Sequence, residues 1–191
     1  MSDTALSRIR DIIQEDAGGR GLRTDPVSNL VTACADDFAA ACRSLAGADR
    51  PRLAVVTGFY IPHATPPAAE TDGPLGAVFL ARALVPLGVE VVLGADPCCA
   101  PALEAGLKAC GLEGAVPVCW VPPDHDPDGL EYWEGFDPDG HSFTHLLALE
   151  RVGPSHTPES VRKQPGASAD DRARFLREVP PHHYDRCHNM R

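Results

Sequence analysis

Two short segments carry acidic and basic side chains of the types that perform proton-transfer chemistry. Glu70 and Asp72 lie in the segment ETDGPLGA, and Glu150 is followed directly by Arg151 in ERVGPSHT. A positioned carboxylate can give or take a proton, and a guanidinium binds a carboxylate through paired hydrogen bonds. For Glu150 and Arg151, at the end of a predicted strand, the pairing indicates a site that can hold a polar substrate. The alternative for Glu150 and Arg151 is a structural ion pair, either buried or at the surface.

The segment ETDGPLGA also predicts the start of a helix. Thr71 or Asp72 is the expected N-cap residue, and Pro74 suits the first turn. The free N–H groups of such a turn, at the positive end of the helix dipole, favour an anion. Gly73 and Gly76 would let a ligand approach the backbone closely. The segment therefore indicates either an anion site or a capped helix without a ligand.

Residues near the C-terminus invite a zinc interpretation, because histidine and cysteine are common zinc ligands. The four are His182, His183, Cys187 and His188. Their spacing fits no standard zinc finger, and no second ligand pair accompanies them. A structural role, or a substrate contact by His188 and Asn189, is therefore favoured. The sequence assigns no metal ligand and no certain cofactor, and it leaves a divalent metal ion open.

The composition argues against several classes of function. The chain has 17 Lys and Arg against 27 Asp and Glu, a formal charge of −10, and no cluster of basic residues. Nucleic-acid binding draws much of its affinity from such clusters, so no nucleic-acid partner is expected. No apolar run approaches the roughly 20 residues of a membrane helix, so no membrane partner is expected. The glycine-rich motifs of nucleotide sites and the nucleophile elbow of serine hydrolases are absent from the sequence.

Alternating apolar segments predict the elements that must position these residues. Four short apolar runs predict buried strands at 52–57, 89–94, 116–121 and 145–149, and the first of them is β-branched and bounded by Pro51 and Gly58. Apolar residues at helical spacing predict helices at about 3–16, 29–44, 75–87, 100–110 and 168–178. Strands that alternate with helices predict parallel pairing through right-handed crossovers. The predicted fold class is therefore α/β, a Rossmann-like, mostly parallel sheet with flanking helices and a ligand site outside the carboxyl ends of its strands.

Cysteine usage and the N-terminal segment predict the compartment. The chain has seven cysteines, an odd number, and none of them forms a CxxC pair. The N-terminal stretch MSDTALSRIRDIIQED predicts an amphipathic helix and lacks the apolar run of a signal peptide. Buried thiols in a reducing compartment are the simplest interpretation, so we expect a cytoplasmic protein.

Three motifs, in the same order along the chain, resemble those of the D-glutamate cyclase family: ETDGPLGA (70–77), LERVGPSHT (149–157) and CHNMR (187–191). The upstream VTGFYIP (56–62) is similar as well, and the resemblance runs across essentially the whole chain. It implies one α/β domain over 1–191, with a helical part at 1–50 and a strand–helix core at 51–158. In that family the domain continues past CHNM, so the resemblance implies a chain that is incomplete at its C-terminus. The sheet edge left by such a truncation could pair with a second copy and give a homo-oligomer.

The chemistry that the resemblance implies is the closure of D-glutamate to 5-oxo-D-proline with loss of water, a carbon–oxygen hydro-lyase reaction. It needs a base for the α-amine, an acid for the leaving oxygen and a positive clamp for the α-carboxylate. The implied catalytic residues are Glu70, Glu150 and Asp72. The implied substrate-binding residues are Thr71, Gly73, Gly76, Arg151, His188 and Asn189. Two alternatives stay open: a non-catalytic binding domain for a small anionic carboxylate, and a metal-dependent lyase or hydrolase on the same scaffold.

Overall fold

The structure, a computed structural model, describes most of the chain as two compact units. The described residues are 3–18, 27, 29–61, 64–120, 143–151, 155–164 and 166–184. The first unit spans Met1–Pro51 and the second spans Arg52–Arg191. None of the helices in these described ranges is long and apolar enough to cross a membrane.

The first unit is helical. Its helices are α1 (Asp3–Ile13), α2 (Leu30–Ala33) and α3 (Asp37–Gly47), and α1 lies against α3. The single helix predicted over 29–44 is wrong, because the chain turns between α2 and α3 and α3 extends through Gly47. A side chain from another helix stabilises this turn, since Arg10 Nη1 of α1 donates a hydrogen bond to the Ala35 carbonyl at 2.9 Å. Periodicity alone does not reveal a contact of that kind.

The second unit is built on a parallel sheet. Its strands, in chain order, are β1 (Arg52–Gly58), β2 (Tyr60–Ile61), β3 (Ala68–Ala69), β4 (Glu90–Ala95), β5 (Val118–Trp120) and β6 (His145–Arg151). Four of them form one sheet in the order β5-β4-β1-β6, and every pairing in it is parallel. The α/β, Rossmann-like prediction is confirmed. The short antiparallel hairpin of β2 and β3 was not predicted, because strands of two residues are too short to show a periodic pattern of apolar side chains.

Helices cover one face of this sheet. The helix α4 (Asp72–Leu84) lies against β1, β4 and β6, continues into a 3₁₀ turn at Val85–Leu87, and packs against α5 (Ala100–Ala109). The apolar core includes buried side chains from both layers: Leu53, Val55, Val91, Leu93, Val78, Ala81, Leu103 and Leu107. Removing such aliphatic surface from water is the main favourable term in folding, and here it fixes α4 over the carboxyl end of β1.

The opposite face of the sheet has a smaller apolar cluster. Ala54 and Val92 are buried there, with Val56, Cys119 and Phe143 packed against them. At its edge the guanidinium of Arg52 lies 4.5 Å from the centre of the Phe143 ring and 2.7 Å from Glu90 Oε1. Cations are attracted to aromatic faces, so the Phe143 ring and the Glu90 carboxylate together hold the Arg52 side chain at the amino-terminal end of β1.

Two helices near the C-terminus, α6 (Pro158–Arg162) and α7 (Ala169–Glu178), pack on each other, and a 3₁₀ turn at Pro181–His183 follows them. Each begins with a capping box, in which Thr157 pairs with Ser160 and Ser168 pairs with Asp171. Reciprocal caps satisfy the free N–H groups of a first turn and define where the helix begins. The surface helix predicted around 168–178 is thereby confirmed.

Candidate functional site

The sheet order places the carboxyl ends of β1, β4 and β6 side by side. The chain leaves β1, crosses through α4 and returns as β4 on one side, whereas β6 pairs with β1 on the other side. Strand order therefore reverses between β1 and β6, and a crevice at such a switch point is where open α/β sheets bind their ligands. Each candidate acidic residue described below lies at or near this end of the sheet.

Three carboxylates converge at the switch point. Oxygen atoms of Glu70, Asp72 and Glu150 all lie within 4.8 Å of one another. Glu70 is half-buried, and the other two are exposed. They come from three different elements, since Glu70 follows β3, Asp72 is the first residue of α4 and Glu150 belongs to β6. The structure thus brings together the three residues that the sequence analysis named as catalytic, and their roles stay a prediction.

Local hydrogen bonds hold Glu70 and Asp72 in place. The Glu70 N–H donates to the Phe59 carbonyl at 2.8 Å, which closes the β2–β3 hairpin next to the end of β1. The Asp72 carboxylate accepts from the Gly73 N–H at 2.9 Å. Thr71 is the N-cap residue and its side chain makes no cap hydrogen bond, so Asp72 lies inside the first turn. Of the two N-cap residues expected from the sequence, Thr71 therefore holds the N-cap position, and Asp72 belongs to the acidic cluster.

Glu150 reaches the cluster through an irregularity in β6. Thr57 pairs with Leu149, but Gly58 pairs with Arg151, so Glu150 is an extra residue without a partner on β1. Its φ is +46°, in the left-handed region that residues other than glycine seldom adopt. Bulges of this kind re-aim a side chain and are common beside active sites. This bulge brings the Glu150 side chain to the start of α4.

Gly73 permits the close approach of α4 to the strand ends. A Cβ atom at this position would collide with Thr57 Oγ1 and would lie only 2.8 Å from Glu150 Cβ. Among the described residues, Thr57 Oγ1 is also the one buried side-chain oxygen or nitrogen without a hydrogen-bond partner. Thr57 is 0% exposed, so its hydroxyl is held against Gly73 beside Glu150 and away from bulk water. Sequence reasoning missed Thr57, because a threonine in an apolar run predicts only a strand.

Arg151 forms an ion pair with Asp96 across the end of β1. Asp96 directly follows β4, and its Oδ2 accepts from Arg151 Nη1. Gly58, which lies between them, has room only for hydrogen, since a Cβ there would meet both side chains. Asp96 was not predicted as a site residue, although its position at a strand end was a usable signal. The guanidinium expected to clamp a substrate carboxylate is therefore already shared with a protein carboxylate.

The start of α4 offers few free donors for an anion. The Gly73 amide donates to Asp72, the Leu75 amide donates to the Thr71 carbonyl at 3.0 Å, and Pro74 has no N–H. Anion sites at helix N-termini depend on unpaired amides in this turn. The binding role expected for Gly73 and its neighbours stays a prediction, and Arg151 is the stronger candidate for holding a carboxylate.

The charge balance at the site is negative. Four carboxylates, those of Glu70, Asp72, Glu150 and Asp96, face the single guanidinium of Arg151 among the residues described at these strand ends. Two like charges 4 Å apart repel by about 4 kcal/mol at the effective dielectric of a protein surface. A proton or a cation between the carboxylates would relieve this repulsion.

Cys99 lies next to the ion pair but is chemically quiet. Burial, reinforced by Cys98 and Asp96, raises the pKa of the Cys99 thiol from 9.0 to about 12. The thiolate is the nucleophilic form of cysteine, and at neutral pH this side chain stays protonated. Cys99 therefore contributes packing at the end of β4 rather than covalent chemistry.

The remaining candidates lie apart from the carboxylates or outside the described residues. Gly76 is half-buried against Leu149, and a Cβ there would lie 3.1 Å from Leu149 Cδ2. His156, an acid–base candidate by residue type, places Nδ1 2.9 Å from Ser160 Oγ in the capping structure of α6. His188 and Asn189 lie outside the described residues, and their substrate contacts stay a prediction.

Comparison with known families agrees with the motifs. The family model described as D-glutamate cyclase-like, C-terminal, matches residues 9–167. The match includes the segments that carry Glu70, Asp72, Glu150 and Arg151. No curated protein matches this sequence.

Proposed function

Since the chain belongs to the D-glutamate cyclase-like, C-terminal family, we propose that it is a lyase that closes D-glutamate to 5-oxo-D-proline. The observation that supports this function best is the convergence of Glu70, Asp72 and Glu150 at the switch point of a parallel sheet. Clustered carboxylates at such a crevice suit a reaction that consists of proton transfers.

The reaction needs two proton transfers and one ring closure. The α-ammonium loses a proton, the free amine attacks the side-chain carboxyl carbon, and a carbon–nitrogen bond forms. A carbon–oxygen bond then breaks, and the departing oxygen leaves as water. In total, two protons move from the nitrogen to the leaving oxygen, and no oxidant or reductant takes part. One group must therefore accept protons on the nitrogen side and another must deliver them on the oxygen side.

Glu70 and Glu150 are proposed for these two duties, with Asp72 as a third acidic group beside them. Glu150 lies in the bulge of β6 and Glu70 directly follows the β2–β3 hairpin, so the two carboxylates reach the start of α4 from different elements. Arg151, held by Asp96, would give its free edge to the α-carboxylate of the substrate. This distribution leaves open which glutamate acts as acid and which as base.

Proton NMR of the full chain incubated with D-glutamate, and separately with L-glutamate, tests the function. We expect 5-oxoproline from the D isomer alone. Replacing Glu150 by Gln should abolish turnover and leave folding nearly unchanged. Glu104→Gln is the matched control, because Glu104 is exposed on α5, and it should retain activity. Full activity in Glu150→Gln would contradict the assignment of roles.

The alternative of a non-catalytic carboxylate-binding domain predicts a different result. Saturable binding of D-glutamate without any loss of substrate would favour that function and would contradict the cyclase.

For the cell, we propose a cytoplasmic enzyme of D-amino acid metabolism. The six cysteines in the described part of the chain are all free thiols, which supports a reducing compartment. Assembly into a homo-oligomer stays a prediction.

A further inference from the structure

We propose that Glu70, Asp72 and Glu150 together hold one divalent cation of the Mg²⁺ or Mn²⁺ class. This inference rests on the site of the proposed function and deepens it, because it adds a cation to the same three carboxylates. Hard divalent cations prefer carboxylate oxygens, and two or three carboxylates are a common protein contribution to such a site. Neither the sequence motifs nor the family description assigns a metal to these residues.

The spacing of the oxygens fits a cation with little movement. Each residue offers an oxygen within 4.8 Å of the other two. A point equidistant from three oxygens at that upper limit lies about 2.8 Å from each, against a ligand distance of about 2.0–2.1 Å for Mg²⁺. Small rotations of exposed side chains close this gap, since Asp72 and Glu150 face solvent on this side. The three ligands also come from separate elements, so a cation would join the β2–β3 hairpin, α4 and β6.

A second observation points to a ligand at the same place. The Thr57 hydroxyl is fully buried and has no hydrogen-bond partner among the described residues. It lies against Gly73 and next to Glu150, between two of the carboxylate-bearing segments. A buried polar group without a partner costs about 1–3 kcal/mol, so native proteins seldom retain one unless a water, an ion or a substrate completes it. A water bound to such a cation would donate a hydrogen bond to this hydroxyl.

The charge of the substrate gives a third reason. D-glutamate carries two carboxylates, and the described part of the site has four carboxylates and one guanidinium that is already paired. Without an added positive charge, the cluster would repel the substrate that it is proposed to bind. A divalent cation would offset part of this repulsion, and it would polarise the side-chain carboxylate for attack by the amine. The cation keeps its oxidation state, and the proton balance of the reaction is unchanged.

Direct binding of Mn²⁺ to the full chain, without any substrate, tests the inference. After treatment with EDTA and its removal, Mn²⁺ is titrated and the free ion is followed by its electron paramagnetic resonance signal. We expect one site per chain. Asp72→Asn and Glu150→Gln should each weaken binding at least about tenfold, because each removes a charged ligand. Glu104→Gln on α5 should bind like the unchanged chain. Absence of saturable binding, or equal binding by all four proteins, would overturn the inference.

Thr57→Val provides a second, independent variant that should fold well. It removes the unpaired hydroxyl and keeps the shape of the side chain, so the protein should remain at least as stable. We expect Mn²⁺ binding about tenfold weaker, as for other groups that support metal ligands. Unchanged affinity in this variant would overturn the inference, since the hydroxyl is its second support.

Failure of the cation and failure of the proposed function give different results. Mn²⁺ binding that needs Asp72 and Glu150, without 5-oxoproline from D-glutamate, would contradict the cyclase and leave the cation site standing. Formation of 5-oxo-D-proline at an unchanged rate in excess EDTA would overturn the cation and leave the cyclase standing.

Discussion

Glu150 combines a functional side chain with a backbone conformation that L-residues seldom adopt. Its φ of +46° belongs to a bulge that only the register of β6 against β1 reveals. Strain of about 1–3 kcal/mol at such a residue persists when the surrounding structure holds it, and it is often found at functional sites. We infer that the position of the carboxylate, rather than stability, explains why a glutamate stands here.

A pair of substitutions at this position tests the strain. Glu150→Gly and Glu150→Ala both remove the carboxylate, so both should lose turnover and cation binding. Glycine normally destabilises by about 0.5–1 kcal/mol relative to alanine, but at positive φ the order reverses. We expect Glu150→Gly to be more stable than Glu150→Ala by about 1 kcal/mol in urea unfolding. The opposite order would mean that residue 150 is not held in the left-handed conformation.

Thr57 is expected to show opposite effects on stability and function. Replacing Thr57 by Val removes an unpaired buried hydroxyl, and should raise the free energy of unfolding by about 1 kcal/mol. Val55 provides the reverse substitution as a control, because it is also fully buried on β1. Val55→Thr would create a buried hydroxyl, and should lower the free energy of unfolding by about 1–3 kcal/mol. Thermal unfolding of both variants checks the signs, and destabilisation by Thr57→Val would show that the hydroxyl is satisfied.

The raised pKa of Cys99 predicts how the free energy of unfolding changes in alkaline solution. Its pKa is raised from 9.0 to about 12 in the folded chain, first by burial. A group whose pKa is higher in the folded state stabilises fully below its unfolded pKa, and that contribution is lost as pH rises between the two values. The free energy of unfolding should therefore fall between about pH 9 and pH 12, and less steeply in Cys99→Ala. Equal slopes in the two proteins would contradict the assigned shift.

At the scale of elements, Gly73 decides whether α4 can begin where it does. Alanine is favoured over glycine inside a helix by about 1 kcal/mol, so a substitution without steric conflict should stabilise. At Gly73 the added Cβ would meet Thr57 Oγ1 and Glu150 Cβ, both on strands packed under the helix. We expect Gly73→Ala to destabilise by about 2 kcal/mol and to disrupt the acidic cluster.

Gly76, one turn along the same helix, is the control for this prediction. A Cβ there would lie 3.1 Å from the end of the Leu149 side chain, which can shift. Gly76→Ala should therefore be neutral or slightly stabilising, and should retain Mn²⁺ binding. The thermal midpoints of the two variants make the comparison. Similar values for both would show that the start of α4 does not need the space beside Thr57.

The strands were predictable from sequence because buried parallel strands appear as continuous β-branched runs, as in Arg52–Gly58 and Glu90–Ala95. The break between α2 and α3 was not predictable from sequence, because the turn between them is stabilised by a hydrogen bond from the guanidinium of Arg10 on α1. At the site, Glu70, Asp72 and Glu150 followed from motif resemblance and from the position of strand ends. Thr57 and Asp96 could not be predicted in this way, because their role depends on which strands are neighbours in the sheet. The local sequence pattern does not determine the order of the strands.

At the scale of the whole molecule, charge should act with opposite signs on the two proposed ligands. The chain carries a formal charge of −10, and the described site adds a local excess of carboxylates. Such a field attracts a divalent cation and repels D-glutamate, and salt screens both effects. The Debye length shrinks from about 30 Å at 0.01 M to about 8 Å at 0.15 M ionic strength.

Raising KCl across that range should therefore weaken Mn²⁺ binding and, at saturating Mn²⁺, lower the KM for D-glutamate. Changes of at least about twofold are expected for each, because the charges act over distances comparable to the Debye length. Titration of Mn²⁺ and NMR kinetics on the same preparation make both measurements. A KM that rises with salt would mean that the substrate meets a net positive site. That result would contradict long-range repulsion of the substrate by the negative charge of the chain.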